Sequence, residues 1–179
     1  MKNSFPVILI LLLFTQVSCK KDSTPANSGT ATIDNTTKLA QTYYVYGFLF
    51  SEAKKVSTLD SPPPDITINS DGINLLLETS NLVNSFFKFG EYPDASTASA
   101  AYKSLTSANV PEINYSGLAT PLKDNQIWIF RSGVQSGFYH YTKFRIISTI
   151  SEIREGRNYA ECTFEWQYQP DGTLTFPGK

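Results

Sequence analysis

Histidine, methionine and cysteine are nearly missing from this chain of 179 residues, which holds one histidine, one methionine and two cysteines. With a single histidine, no second one can complete a metal shell around it. Blocks of like charge are missing too. Fifteen lysines and arginines stand against sixteen aspartates and glutamates, a net charge of −1, so nothing offers nucleic acid an electrostatic footprint. Long apolar runs are absent but for one. Phe5 to Phe14, FPVILILLLF, is uncharged. As a helix it would cover roughly 15 Å, about half of a hydrocarbon core. That is too short to span a bilayer and fits the apolar centre of a secretory signal, with Lys2 as its positive start.

The run softens into Thr15-Gln16-Val17-Ser18-Cys19. Small Ser18 before the cysteine suits a signal peptidase, although Gln16 stands where leucine is usual before a lipidated cysteine. Residues 1–18 are therefore expected to be a lipoprotein signal peptide, with Cys19 the acylated (palmitate-bearing) first residue of the mature protein. The alternative is ordinary cleavage that leaves Cys19 free. Polar CKKDSTPANSG follows, as a tether should follow an anchor. Lys20-Lys21-Asp22 suits sorting to the outer membrane of a Gram-negative bacterium better than an aspartate directly after the cysteine. Loss of the signal removes Met1 and Lys2, leaving 14 basic against 16 acidic residues. Attachment to the membrane then rests on acylation and not on a polybasic patch. Cys162 is left without a partner, so no intrachain disulfide forms and the fold depends on its core.

Residues 19–38, rich in Ser, Thr, Asn and Asp, read as lipidated cysteine and flexible tether. Residues 39–179 read as one mainly β domain, a single antiparallel β domain with one short α-helix at about 94–107. Strands are expected at 42–50, 54–59, 66–79 around the turn Ser70-Asp71-Gly72, 81–90, 126–131, 138–150 and 159–169, with TLTF (173–176) as a short last strand. SPPPD (61–65) is a break, since prolines supply no ladder donors. The helix begins at a cap, Asp94 or Ser96, and Ala98, Ala101, Tyr102 and Leu105 fall at helical spacing before Pro111. In the strand 159–169, Ala160, Cys162, Phe164, Trp166 and Tyr168 share one face and Glu161, Thr163, Glu165, Gln167 and Gln169 the other. This alternation predicts one buried and one wet face.

No catalytic constellation emerges, and the chain reads as non-enzymatic. His140 lies in phase with Phe138, Phe144 and Ile146. It is either a ligand or general base at a pocket, or a partly buried histidine hydrogen-bonded within a sheet; the second is favoured because no other histidine completes a metal shell. Cys162 has no evident base beside it and reads as a small core residue. Glu161 and Glu165 are roughly 13 Å apart along a strand, too far to act as a pair, and read as solvated. Residues 133–137, GVQSG, miss the nucleophile-elbow pattern by one place. What remains is an aromatic surplus of ten Tyr, twelve Phe and two Trp. Tyr43, Tyr44, Tyr46, Tyr139, Tyr141 and Trp128 either line a groove for a planar or hydrophobic ligand or cover core and sheet edges.

The C-terminal order IWIFRS, a glycine turn, GFYHYTKFRIIS, a polar hairpin and YAECTFEWQYQPDGTLTF resembles the ending of the HmuY-like haem-binding lipoproteins. Gly137 to Ile147 and Phe164 to Phe176 carry the match. YYVYGFLFSEAKKV and PDITINSDG resemble the family's opening strands more loosely, with Pro64 where a tryptophan is common; residues 80–125 match no motif. The resemblance implies an all-β lipoprotein that captures haem at the cell surface for an outer-membrane receptor or transporter. Its members hold iron through a pair of histidine or methionine side chains, and this mature chain has His140 and no methionine. No cofactor is required by the residues. Were haem or a porphyrin bound, His140, Tyr139, Tyr141 and Trp128 are the residues expected to meet it. The other expectation is an accessory lipoprotein that docks on another envelope protein and binds no small molecule.

Overall fold

The computed structural model describes residues 26–36, 45–80, 84–108, 114–133 and 137–177. The expected signal peptide, Cys19, Tyr43, Tyr44 and Pro111 lie outside them. Alternation drives the architecture. The inward set of β9 (Arg157–Gln169), namely Ala160, Cys162, Phe164, Trp166 and Tyr168, is buried as expected. β9 pairs antiparallel with β8 (Tyr141–Arg154), which pairs with β7 (Gln126–Arg131) and through it with β6 (Phe86–Glu91). The fifth member of the sheet is β1 (Ser28–Asp34), in the order β1-β9-β8-β7-β6.

β1 corrects the expected tether of residues 19–38, because seven of those residues are an edge strand. Ala31 and Ile33 sit opposite Phe164 and Cys162, and the Thr32 hydroxyl meets that of Thr163 at 2.7 Å. An edge strand has a solvent side, so a polar sequence with a single fully buried residue, Ile33, is enough to hold it.

Two hairpins cover one face of the sheet. β2 (Tyr46–Leu49) pairs with β3 (Lys54–Ser57), and β4 (Thr67–Ser70) with β5 (Leu75–Glu78). Between the second pair Asp71 accepts from the backbone N–H groups of Ile73 and Asn74, at 2.8 and 2.6 Å, and Gly72 takes φ of +90°. This is the turn that Ser70-Asp71-Gly72 announces. Phe48, Phe50, Ile66, Ile68 and Leu77 pack from these hairpins onto Phe130, Phe144, Phe164 and Trp166. The expected strand 42–50 is shorter than its sequence signal, since Phe50–Glu52 turn into one 3-10 turn.

The opposite face carries α1 (Ala95–Ser104), started by Asp94, whose carboxylate accepts the Thr97 N–H at 2.8 Å. Tyr102 and Leu105 pack with Phe176 on Ile127 and Ile129. The helix stops three residues short of the expected 107 because a sheet side chain takes its last carbonyls: Lys143 Nζ donates to the carbonyls of Tyr102 and Leu105, at 2.8 and 2.7 Å. The chain after α1 instead pairs with the C-terminal segment, Ala108 with Leu174 and Phe176 with Thr106. TLTF is thus a bridge at Ser107–Thr175 and not a strand.

Because α1 and the C-terminal segment cover this side of the sheet, the expected wet side of β9 is only half wet. Gln169 is buried, and Glu165 pairs with Arg145 directly across the ladder. Beyond Ile146 and Asp34, β8 and β9 lose their neighbours and continue as a two-stranded ribbon. Glu155 and Gly156, with φ of +50° and +76°, close it in a tight hairpin turn.

Candidate functional site

His140 precedes β8 at the end of the sheet opposite the ribbon. Its backbone is tied to Ser132 in both directions: its carbonyl accepts the Ser132 N–H at 2.9 Å, and its N–H donates to the Ser132 hydroxyl at 3.2 Å. Its ring turns toward the hairpin-covered face, as its phase with Phe144 implies, and its Nδ1 lies 3.0 Å from the Tyr168 phenol oxygen. Burial lowers the imidazole below its ordinary range, so the ring is neutral at pH 7. The Phe138 ring stands 5.2 Å away, edge to face, and is 44% exposed. Phe138 lies over Gly172, where an added Cβ would come within 2.6 Å of its ring. Gly172 thereby serves both its positive φ and this contact.

Behind His140 is a small polar cavity of about 10 Å³, lined by Asp65, Ser51, Ser132, Thr142 and Tyr168 together with His140 itself. That is room for about one water molecule. Asp65 is partly exposed as a residue, yet its carboxyl group is enclosed, and burial pushes it up to about 6, against the pull of the Phe50 N–H that it accepts at 2.9 Å. Burial first, and then the charge of Asp65, push the Tyr168 phenol up to about 12. A carboxyl, a phenol and an imidazole thus face one another across a water-sized space. Such a cluster holds a proton and orients a ring.

The other expected site residues do not join it. Trp128 is core: it is buried opposite Phe144, and its indole N–H donates to Gln126 at 3.0 Å. Tyr139 and Tyr141 turn to the helix-covered face, their rings 6.5 Å apart. There the Arg131 guanidinium lies over two rings, 4.0 Å from Tyr115 and 4.8 Å from Tyr139. One step along the backbone therefore puts His140 and Tyr139 on opposite sides of the sheet. Cys162 is fully buried and its thiol is pushed up by burial, which makes it unreactive. Glu165 departs from the solvated reading through its ion pair with Arg145.

A haem site needs a pocket for the porphyrin and an axial ligand. A cofactor pocket of roughly 300–1,000 Å³ is usual, and the cavity at His140 holds about 10 Å³. The residues around His140 do not fit an enclosed porphyrin. Among the described residues no group of three or more His, Cys, Asp or Glu side chains is placed to hold a metal ion. A larger groove, of about 480 Å³, lies at the far end of the sheet beside Asn35, Arg154, Arg157, Asn158 and Tyr159, with the Arg154 guanidinium 3.3 Å above the Tyr159 ring.

Sequence reasoning missed Asp65, Tyr115 and Arg131, and it placed Tyr168 inward without its partner. Asp65 follows a proline run, and its cavity neighbours lie up to about a hundred residues away along the chain. No local pattern encodes such a meeting.

Together these features define a mainly β protein: one antiparallel sheet between two hairpins and a helix, with an imidazole–phenol–carboxyl cluster at one end. In comparisons with known proteins, no family model, no curated protein and no solved structure matches this chain.

Proposed function

We propose that this is a non-enzymatic lipoprotein of the cell envelope, anchored at Cys19, whose HmuY-like β domain docks on another envelope protein such as an outer-membrane receptor or transporter. One observation carries the docking reading. The ribbon of β8 and β9 leaves the sheet and exposes an isoleucine on each of its faces, Ile150 at 37% and Ile153 at 68%. Ile73, in the β4–β5 turn, is 88% exposed, and Gly72 beside it lies next to Asn158 of the ribbon. Aliphatic side chains held out on a protruding ribbon offer apolar surface that a protein partner would cover. Arg154 and Arg157 beside them supply a polar rim.

The test is native electrophoresis of gently solubilised membranes. The wild-type chain is expected in a complex larger than itself, and the folded variant Ile150→Asp/Ile153→Asp as a monomer. Co-migration of that variant with the complex would overturn the docking surface. The anchor has its own test: Cys19→Ala is expected to abolish fatty-acid labelling and to release the protein from the membrane fraction. Unchanged labelling would refute it.

A second reading, a haem or other porphyrin bound on the surface, is favoured by one feature. With Nδ1 engaged by Tyr168, the Nε2 of a neutral His140 is the nitrogen left to meet a ligand. Titration of the purified protein with haem decides it: a saturable Soret shift that His140→Ala removes would establish this reading.

A further inference from the structure

The chain's own course shows which end of the sheet is nearer to Cys19. The carbonyl of Asn27 accepts the backbone N–H of Tyr168 at 2.7 Å; the Tyr168 phenol reaches His140, and the His140 ring meets Phe138. The segment that leads to β1 therefore enters at the aromatic end. Asn27 stands eight positions after Cys19, a span that reaches at most roughly 29 Å when fully extended. From Tyr168 to the ribbon turn at Arg157, β9 runs a further eleven residues, roughly 36 Å in the opposite direction.

The surface composition of the two ends differs in the same sense. At the near end Phe138 is exposed, Tyr139 and Tyr141 are half-buried beside it, and Arg131 lies between the rings of Tyr115 and Tyr139. Rings with polar tips, an exposed phenylalanine and a guanidinium are the side chains that settle at the level of lipid headgroups. A covalent lipid fixes a protein at one point, and a second membrane contact adds to the hold and sets the orientation.

We infer that the aromatic end of the sheet rests on the lipid headgroup layer, with Phe138 at the acyl boundary and the ribbon directed away from the membrane. The inference rests on acylation of Cys19. It places the docking ribbon where a partner protein, and not the bilayer, meets it.

The experiment uses the full acylated protein in vesicles of equal parts phosphatidylethanolamine and phosphatidylglycerol. Phe138→Cys and Ile153→Cys variants carry an environment-sensitive label, and Cys162, fully buried, stays unlabelled. Near-ultraviolet circular dichroism checks that each variant is folded. Label at 138 is expected to shift to the blue and to be quenched by spin-labelled lipids at least about twofold more than label at 153. Flotation of the protein with vesicles is measured alongside. Failure to float refutes the anchor and the inference with it. Flotation with equal quenching at the two positions refutes the orientation alone. Shielding of the 138 label in native membranes but not in pure vesicles would assign this end to a protein partner and also overturn the inference.

Discussion

The Tyr168 phenol oxygen lies 3.0 Å from Nδ1 of His140, and the two residues face Asp65 across the same water-sized cavity. This contact engages one ring nitrogen of His140, and the cavity sets the pair beside a carboxyl group with an unusual proton affinity. Asp65 stands at about 6 in the folded protein, against 3.8 ordinarily. Its folded value lies above its unfolded one, so the native state binds more protons between these values, and the Asp65 contribution to stability falls as pH rises from about 4 to about 6. Asp65→Asn keeps an acceptor for the Phe50 N–H and removes the charge. Urea unfolding is expected to show the variant more stable than the wild type by about 1–3 kcal/mol at neutral pH, and equal to it below about pH 4. No gain at neutral pH would show that the carboxylate is solvated.

His140 gives the opposite sign. Burial lowers it in the folded state, so the unfolded chain binds the proton more readily, and its contribution to stability is lost as pH falls below the ordinary histidine range. As the single histidine, it gives one set of imidazole resonances in the proton spectrum. Their midpoint is expected below 6.5 in the folded protein and near 6.5 in urea. A folded midpoint above 6.5 would refute the buried, neutral ring.

Lys143 is the clearest case of a sheet residue serving a helix. It is almost fully buried, its Nζ donates to two carbonyls at the end of α1, and it lies 4.4 Å from the Tyr102 ring. The positive end of a lysine suits the negative end of a helix. Lys143→Met preserves much of the volume and leaves both carbonyls without that donor, so a loss of about 2–4 kcal/mol in unfolding free energy is expected. Hydrogen exchange should show the last turn of α1 opening first. A variant as stable as the wild type would mean that water replaces the ammonium.

Two glycines should behave in opposite ways. At Gly47 an added Cβ would stand 2.2 Å from the Ile66 carbonyl oxygen and 2.6 Å from Pro64. Gly47→Ala must therefore push apart the Phe48–Ile66 bridge that joins the two hairpins, at an expected loss of about 3 kcal/mol or more. Gly156 has nothing within 4 Å and a φ of +76°. Gly156→Ala meets only backbone strain, about 1–2 kcal/mol. Thermal unfolding of both variants ranks them, and the reverse order would contradict the packing of the hairpins.

The legible parts of the fold are those whose signals are local. The alternation in β9, the Asp71-Gly72 turn and the Asp94 cap each involve residues within a few positions of one another, and each stands where the sequence indicates. The edge strand β1 was hidden because water covers one of its sides, so its polar residues look like a linker. The burial of Lys143 and Arg145 was hidden because α1, about forty residues earlier in the chain, covers the face that alternation alone assigns to solvent. The same limit applies to the site. The inward phase of His140 is readable, whereas its meeting with Tyr168 and Asp65 brings together three separate segments of the chain. Trp128 is open in the sequence to either a groove or a core reading, because aromatic content alone does not tell a core from a surface.

β1 also sets an order in time. Its Thr32 pairs with Thr163 across 131 positions, so the earliest of the described strands waits for the latest of them. Contacts this remote in sequence form slowly, because the whole intervening chain must be brought to order before they repay its entropy. During synthesis β1 stays bare until β9 has been made. A chain cut short before β9 would therefore fail at its beginning as well as its end.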